Sequence, residues 1–263
     1  MSRLHGIEVG HGPIRLFFLH GIFGQGKNFG NVAKLLSEQI TSVLLDLPNH
    51  GRSPWTDRFD YDLFADLVAD ELEARGASSA PVVLVGHSMG GKIAMRLALR
   101  HPGLISHLVV EDMSPVARTG SDDFQHLVDS LCSLDLASIT NRKQADEQLA
   151  GLVADPGVRG FLLQNLHRDT ASGGWRWLPN LELLRHSITQ LTGWPPITGS
   201  WDRPVLWLRG ANSDHVQPAD EPVMRSYFPR ERLETIPGAG HWIHADQPRA
   251  VAHAIAEFVG REA

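Results

Sequence analysis

The sequence predicts an α/β protein: a mostly parallel central sheet with helices on both faces and an inserted helical cap. Three observations predict it. Short apolar runs alternate with amphipathic, helix-length stretches, the rhythm of βαβ units. The rhythm stops in mid-chain and then resumes. Residues able to do chemistry fall just after apolar runs, where parallel sheets place their sites.

The elements follow in order. Ile14–Leu19 reads as a strand, Phe29–Leu36 as a helix, Ser42–Leu45 as a strand and Tyr61–Arg75 as a helix. Val82–Val85 is the next strand, Ile93–Arg100 the next helix, and His107–Val110 a further strand. From about Ser114 to about Ser200 the patterns are helical, with no clear strand. Phe124, Leu127, Val128 and Leu131 share one helical face there, as do Leu181, Leu184 and Ile188. Val205–Leu208 then restarts the rhythm, followed by a helix near Pro222–Phe228, a strand Leu233–Ile236 and a last helix Pro248–Val259. The expected division is a core of residues 1–113 and 201–263 and a helical cap of residues 114–200. A plain extra helical layer is the competing reading. The cap is favoured because its stems emerge on the side where the site residues lie.

At 263 residues, 42% hydrophobic and 21% charged, the chain fits one large soluble domain, or one with an insertion. A net charge of −6 argues against a nucleic-acid partner, which would want a basic face. Met1 to Gly6 has no apolar signal core, and no run is long enough to span a bilayer, so the cytoplasm is the expected location. Cys132 is the only cysteine, which excludes an internal disulfide; packing is its expected role. The oligomeric state is left open.

Gly86-His87-Ser88-Met89-Gly90-Gly91 carries the chemistry. Gly-x-Ser-x-Gly alone is weak evidence in a chain with 25 glycines. Here it stands between a strand and a helix with almost no loop, a turn so sharp that only small neighbours fit. Such a turn exposes the Ser88 hydroxyl at a helix N-terminus, where N–H groups and the helix dipole stabilise anions.

A serine nucleophile needs a base, and the base needs an orienting group. His241, after Pro237-Gly238-Ala239-Gly240, is the favoured base, with His244 as its rival. His244 is expected to pack at the start of the last helix. His5, His11, His126 and His186 read as surface or filler positions. For the acid, Asp112 ends the strand beside that of the nucleophile and is favoured over Asp214. Ser213, three residues past Gly210, then becomes a hydrogen-bonding helper to the His241–Asp112 pair. Glu111 should point to the opposite face from Asp112, by strand alternation. The oxyanion donors are expected to be the backbone N–H groups of Met89 and Ile22, with Phe23 as the alternative to Ile22. His20 reads as structural, and Asp46 and His50 as stabilising their loop. Gly21 to Asn28 nearly matches a phosphate-binding loop, but Asn28 replaces the metal-binding hydroxyl. Nothing calls for a cofactor or a metal.

These residues resemble the α/β-hydrolase superfamily across nearly the whole chain: His20-Gly21, Asp46 to Ser53, Gly86 to Gly91, Asp112 to Pro115 and Gly238 to His241. More closely, Leu-His-Gly-x-Phe-Gly, Asn-His-Gly-x-Ser-Pro, Gly-His-Ser-Met-Gly-Gly-Lys and Gly-x-Asn-Ser together resemble a branch of small bacterial and mitochondrial acyl esterases and thioesterases. Gly174 to Trp177 and Gly193-Trp194 look like that branch as well. The resemblance implies the early-strand acid at Asp112, with Ser213 at the usual acid position. It implies cleavage of carboxylic esters or of thioesters such as acyl-CoA. Phe23, Trp175 and Trp177, with Phe124 or Phe161, are then expected to line an apolar acyl pocket; packing is the competing role of each. A carbon–carbon bond hydrolase, a lactonase, a cofactor-free perhydrolase or a non-catalytic binding protein are the alternatives.

Overall fold

The computed structural model describes residues 3–118, 122–169 and 173–261. Met1 and Ser2, read above as part of the N-terminus, lie outside them. Seven strands form one sheet: β1 (Gly6–Val9), β2 (Ile14–Leu19), β3 (Ile40–Leu45), β4 (Val82–His87), β5 (Ile105–Glu111), β8 (Val205–Gly210) and β9 (Glu231–Ile236). β6 (Leu166–Arg168) and β7 (Trp175–Trp177) form a separate two-stranded sheet. The order across the sheet is β1-β3-β2-β4-β5-β8-β9, with β1 antiparallel to β3 and the other neighbours parallel.

Every residue of β4 is buried, as a central parallel strand covered on both faces requires. Alternation along β2 splits its side chains between two cores. Phe17 and Leu19 join Leu84, Val110 and Trp207 under α2 (Tyr61–Ala74) and α3 (Met89–Arg100). Leu16 and Phe18 join Val83, Val85, Leu206 and Leu208 under α1 (Gly30–Leu36) and α11 (Pro248–Arg261). α2 starts where it does because the Asp60 carboxylate accepts the free N–H groups of Asp62 and Leu63.

The segment between β5 and β8 carries α4 (Asp122–Cys132), α5 (Arg142–Ala150), α6 (Pro156–Leu163), the short strands β6 (Leu166–Arg168) and β7 (Trp175–Trp177), α7 (Leu181–His186) and α8 (Ile188–Thr192). α9 (Glu221–Tyr227) follows β8, and α10 (Ile243–Asp246) follows β9. Val128, Leu131, Leu181, Leu184 and Ile188 are buried and continue the core over α2 and α3. Two buried cations of α3 hold the end of this segment. Lys92 Nζ donates to the carbonyls of Thr192 (2.9 Å) and Gly193 (2.7 Å), and Arg96 donates to that of Pro195 (2.6 Å). Burial pushes the Lys92 ammonium down to about pH 7.

Several expectations need correction. The mid-chain segment is not purely helical: β6 and β7 pair antiparallel, on strands too short for an alternation pattern to register. β1 was missed for the same reason, being a four-residue edge strand. α3 begins at Met89, directly after the nucleophile candidate, rather than at Ile93. Two glycines permit that start: a Cβ on Gly86 would sit 2.3 Å from the Gly90 carbonyl, and one on Gly90 2.3 Å from that of Leu19. His244 lies in its own short helix, α10, ahead of the last one. Cys132 is exposed at the end of α4, so it does not pack.

Candidate active site

Among the described residues, four that are not glycine have positive φ: Phe23, Asn49, Ser88 and Asp112. Each closes or follows one of β2, β3, β4 and β5, so backbone strain gathers along the carboxyl edge of the sheet. Ser88 has φ 53° and ψ −117° and stands at the N-terminus of α3, whose first-turn N–H groups have no partner within the helix. Its own N–H donates to the Glu111 carbonyl (3.1 Å), which ties the turn to β5.

Asp112 is completely buried, and its carboxylate meets three donors. Oδ1 accepts the Gly210 N–H (3.0 Å); Oδ2 accepts the Ser213 hydroxyl and lies 2.8 Å from His241 Nδ1. Because a carboxylate only accepts, the His241 proton on that side is on Nδ1, which leaves Nε2 free to take a proton. Asp214 is elsewhere: its side chain is 90% exposed and lies 3.5 Å from His215 Nδ1.

The neighbouring residue serves a second imidazole. Glu111 faces the other side of the strand, where its Oε2 lies 2.9 Å from His244 Nδ1, both groups buried. His87 lies between the two systems, with its ring 4.6 Å from that of His241 and 4.7 Å from that of His244. Its Nε2–H donates to the His241 carbonyl (2.8 Å), and burial holds it well below the usual imidazole range, so it is neutral.

Ser88 and His241 line one cavity. Its polar wall is the turn from Gly21 to Gly24, closed by the Gly24 N–H on the Gly21 carbonyl (3.0 Å), which leaves the N–H groups of Ile22 and Phe23 outside the turn's own bond. Its apolar wall comes from Phe124 and Leu127 of α4, Val158, Phe161 and Leu162 of α6, and Trp242. Phe23 lines this cavity; Trp175 and Trp177 do not. They sit on β7 and pack against the core, with the Arg168 guanidinium over the Trp175 ring at 5.3 Å.

The loops around the cavity are held as structural residues. His20 Nδ1–H donates to the Gly21 carbonyl (2.7 Å), and its Nε2 accepts the Leu47 N–H (2.9 Å). Asp46 accepts the N–H groups of Gly26 (2.8 Å) and Arg52 (2.9 Å) and lies 3.0 Å from His5 Nδ1. His50 donates to the Pro48 carbonyl (3.0 Å), and burial pushes its pKa down to about 3.

Two residues at this site carry no signal of their own in the sequence. His87 hides inside the serine motif. His215 follows Ser213 by two residues, and its ring stacks on His241 at 3.8 Å and 18°. Asp112, His215 and His241 offer three metal-ligand atoms within 4.8 Å of one another. Both Asp112 oxygens already face hydrogen-bond donors, so the cluster is complete as a hydrogen-bonded one.

A strained serine between strand and helix, and a histidine held by a buried carboxylate, define the hydrolase class of α/β proteins. Residues 16–254 match the model of the alpha/beta hydrolase family, and the chain belongs to that family. It is 35% identical to the sn-1-specific diacylglycerol lipase ABHD11 of Mus musculus, over 93% of this chain and 80% of that one. It is 31% identical to Esterase YbfF of Escherichia coli, over 95% of this chain and 94% of that one. A solved structure described as a marine microorganism esterase superposes with a TM-score of 0.93 at 32% identity, covering 97% of this chain and 99% of that one. Among the described residues no helix is long and apolar enough to cross a membrane.

Proposed function

We propose that this protein is a serine esterase that cleaves carboxylic esters of apolar acyl chains through an acyl-enzyme on Ser88. One observation carries the reading: Ser88 and a histidine anchored on a buried carboxylate face the same largely apolar cavity. The esterase and lipase relatives support the substrate class.

In this reading His241 Nε2 takes the Ser88 hydroxyl proton as Oγ attacks the ester carbonyl carbon. The oxyanion is met by the N–H groups of Met89 and Ile22, in a geometry where one such donor contributes on the order of a hundredfold or more in rate. Collapse breaks the bond to the leaving alcohol, which receives the proton from His241. Water then attacks the acyl-enzyme, His241 again removing and returning the proton, and the free acid leaves. Asp112 fixes the tautomer and orientation of His241 throughout. The segment of residues 114–200 acts as a cap, its α4 and α6 side chains receiving the acyl chain.

Steady-state hydrolysis of p-nitrophenyl esters tests the reading. Turnover by the native chain and a loss of about a thousandfold or more in Ser88→Ala are expected. Undiminished hydrolysis by Ser88→Ala rules it out. Measuring acyl-CoA thioesters of the same chain length in parallel separates esterase from thioesterase preference.

A further inference from the structure

We infer that His215 is a positioning residue for His241: as a neutral ring it backs the imidazole on which positive charge forms and favours the imidazolium. The inference rests on the reading of His241 as the base.

The geometry is specific. The two rings are nearly parallel, 18° apart with centroids 3.8 Å apart, and both direct Nδ1 toward one carboxylate oxygen. His241 Nδ1 is 2.8 Å from Asp112 Oδ2 and reaches it directly. His215 Nδ1 is 4.0 Å from the same atom and reaches it through the Ser213 hydroxyl, 3.3 Å away. Since that hydroxyl gives its proton to Asp112, its oxygen is left to accept, and the His215 proton belongs on Nδ1. His215 is then the neutral tautomer with one proton.

The surroundings keep it neutral. Burial, with His241 beside it, pushes its pKa down to about 4. Asp112 from the end of β5 and Asp214 from its own loop act in the opposite direction, and Arg118 from the segment after β5 in the same one. The His87 ring of β4, also neutral, lies 4.6 Å from that of His241 at a tilt of 45°. The imidazolium formed during each turnover therefore lies against the face of His215, a ring that carries no charge of its own. An aromatic face attracts a cation, and a parallel face also resists rotation of the His241 ring off Asp112. The His215 side chain is 29% exposed, so core filling does not account for it.

The test compares the native chain with His215→Ala, His215→Leu and His215→Phe, by the pH dependence of kcat/KM on a p-nitrophenyl ester and by NMR titration of the His241 imidazole. Removing the ring face should lower the His241 pKa by about half a unit, moving the acid limb to lower pH, and reduce kcat/KM about three- to tenfold in Ala and Leu. Phe should restore both. An unchanged or raised His241 pKa in Ala and Leu, or a Phe variant that behaves like Leu, overturns the inference. Ser88→Ala, assayed alongside, separates the two levels: its undiminished turnover removes the esterase reading, whereas the NMR titration judges the stacking without any activity.

Discussion

Asn165 Nδ2 donates to the carbonyl of Phe23 at 2.6 Å, a buried hydrogen bond from the end of α6 to the turn after β2. The same side chain accepts from Gln25 Nε2 (2.7 Å) through its Oδ1. The segment between β5 and β8 thus grips the turn assigned to oxyanion binding, and cavity wall and donor turn form one body. Asn165→Ala leaves the buried Phe23 carbonyl without this donor and Gln25 Nε2 with only the longer bond to the Gln164 carbonyl (3.4 Å). It is expected to cost about 1–3 kcal/mol of stability and to lower kcat about tenfold with little change in KM. Urea unfolding and steady-state kinetics of the variant check both; a KM effect alone would place the role of Asn165 in substrate binding instead.

The carboxylates at 112 and 214 should separate cleanly. Asp112→Asn is expected to lower kcat by roughly a thousandfold or more, since an amide can present its N–H to His241 and reverse the tautomer. Asp214→Asn should stay within a factor of about three, because exposed, screened charges contribute little. Kinetics of the two variants on one ester decide the ranking.

Acid sensitivity should trace partly to His50. Its folded pKa of about 3 lies below the unfolded value, near 6.5. Between the two the unfolded chain binds more protons, so stability rises with pH. The contribution is complete above about pH 6.5 and is lost as pH falls toward 3. Urea unfolding at pH 7, 5.5 and 4.5 should show a smaller acid loss in His50→Asn than in the native chain, by an amount on the order of a few kcal/mol at the lowest pH.

Acyl-chain selection should follow the α6 wall. Phe161 lies 5.5 Å, ring to ring, from Trp242, and both line the cavity. Phe161→Ala removes apolar surface that a long chain would cover, at about 25 cal/mol per Å². The ratio of kcat/KM for hexanoate over acetate esters is expected to fall about tenfold, and an unchanged ratio would place the chain elsewhere.

What was legible in the sequence was local. Buried parallel strands announce themselves as apolar runs; Ser88 and Asp112 stand at the ends of two of them and His241 a glycine-containing turn beyond a third, so all three fall along one edge of the sheet. Spacing also put Ser213 beside Asp112, because the Gly210 turn holds a fixed number of residues. What was not legible depends on contacts between distant segments. His215 matters through a ring stacked across two loops, and Asn165 through a turn 142 residues away. Trp175 and Trp177 drew attention by composition, yet they do not line the cavity, and the pairing of β6 with β7 leaves too short a pattern to read. Cys132 sits on an amphipathic helix whose last residue is already at the solvent edge.

The most direct measurement is peptide mapping of the protein quenched during turnover of a slowly released ester. The acyl mass is expected on Ser88 in the native chain, and almost none should form in His241→Ala, whose serine has no base. An acyl group found on any other side chain, or full acylation of Ser88 without His241, would contradict the assignment of nucleophile and base.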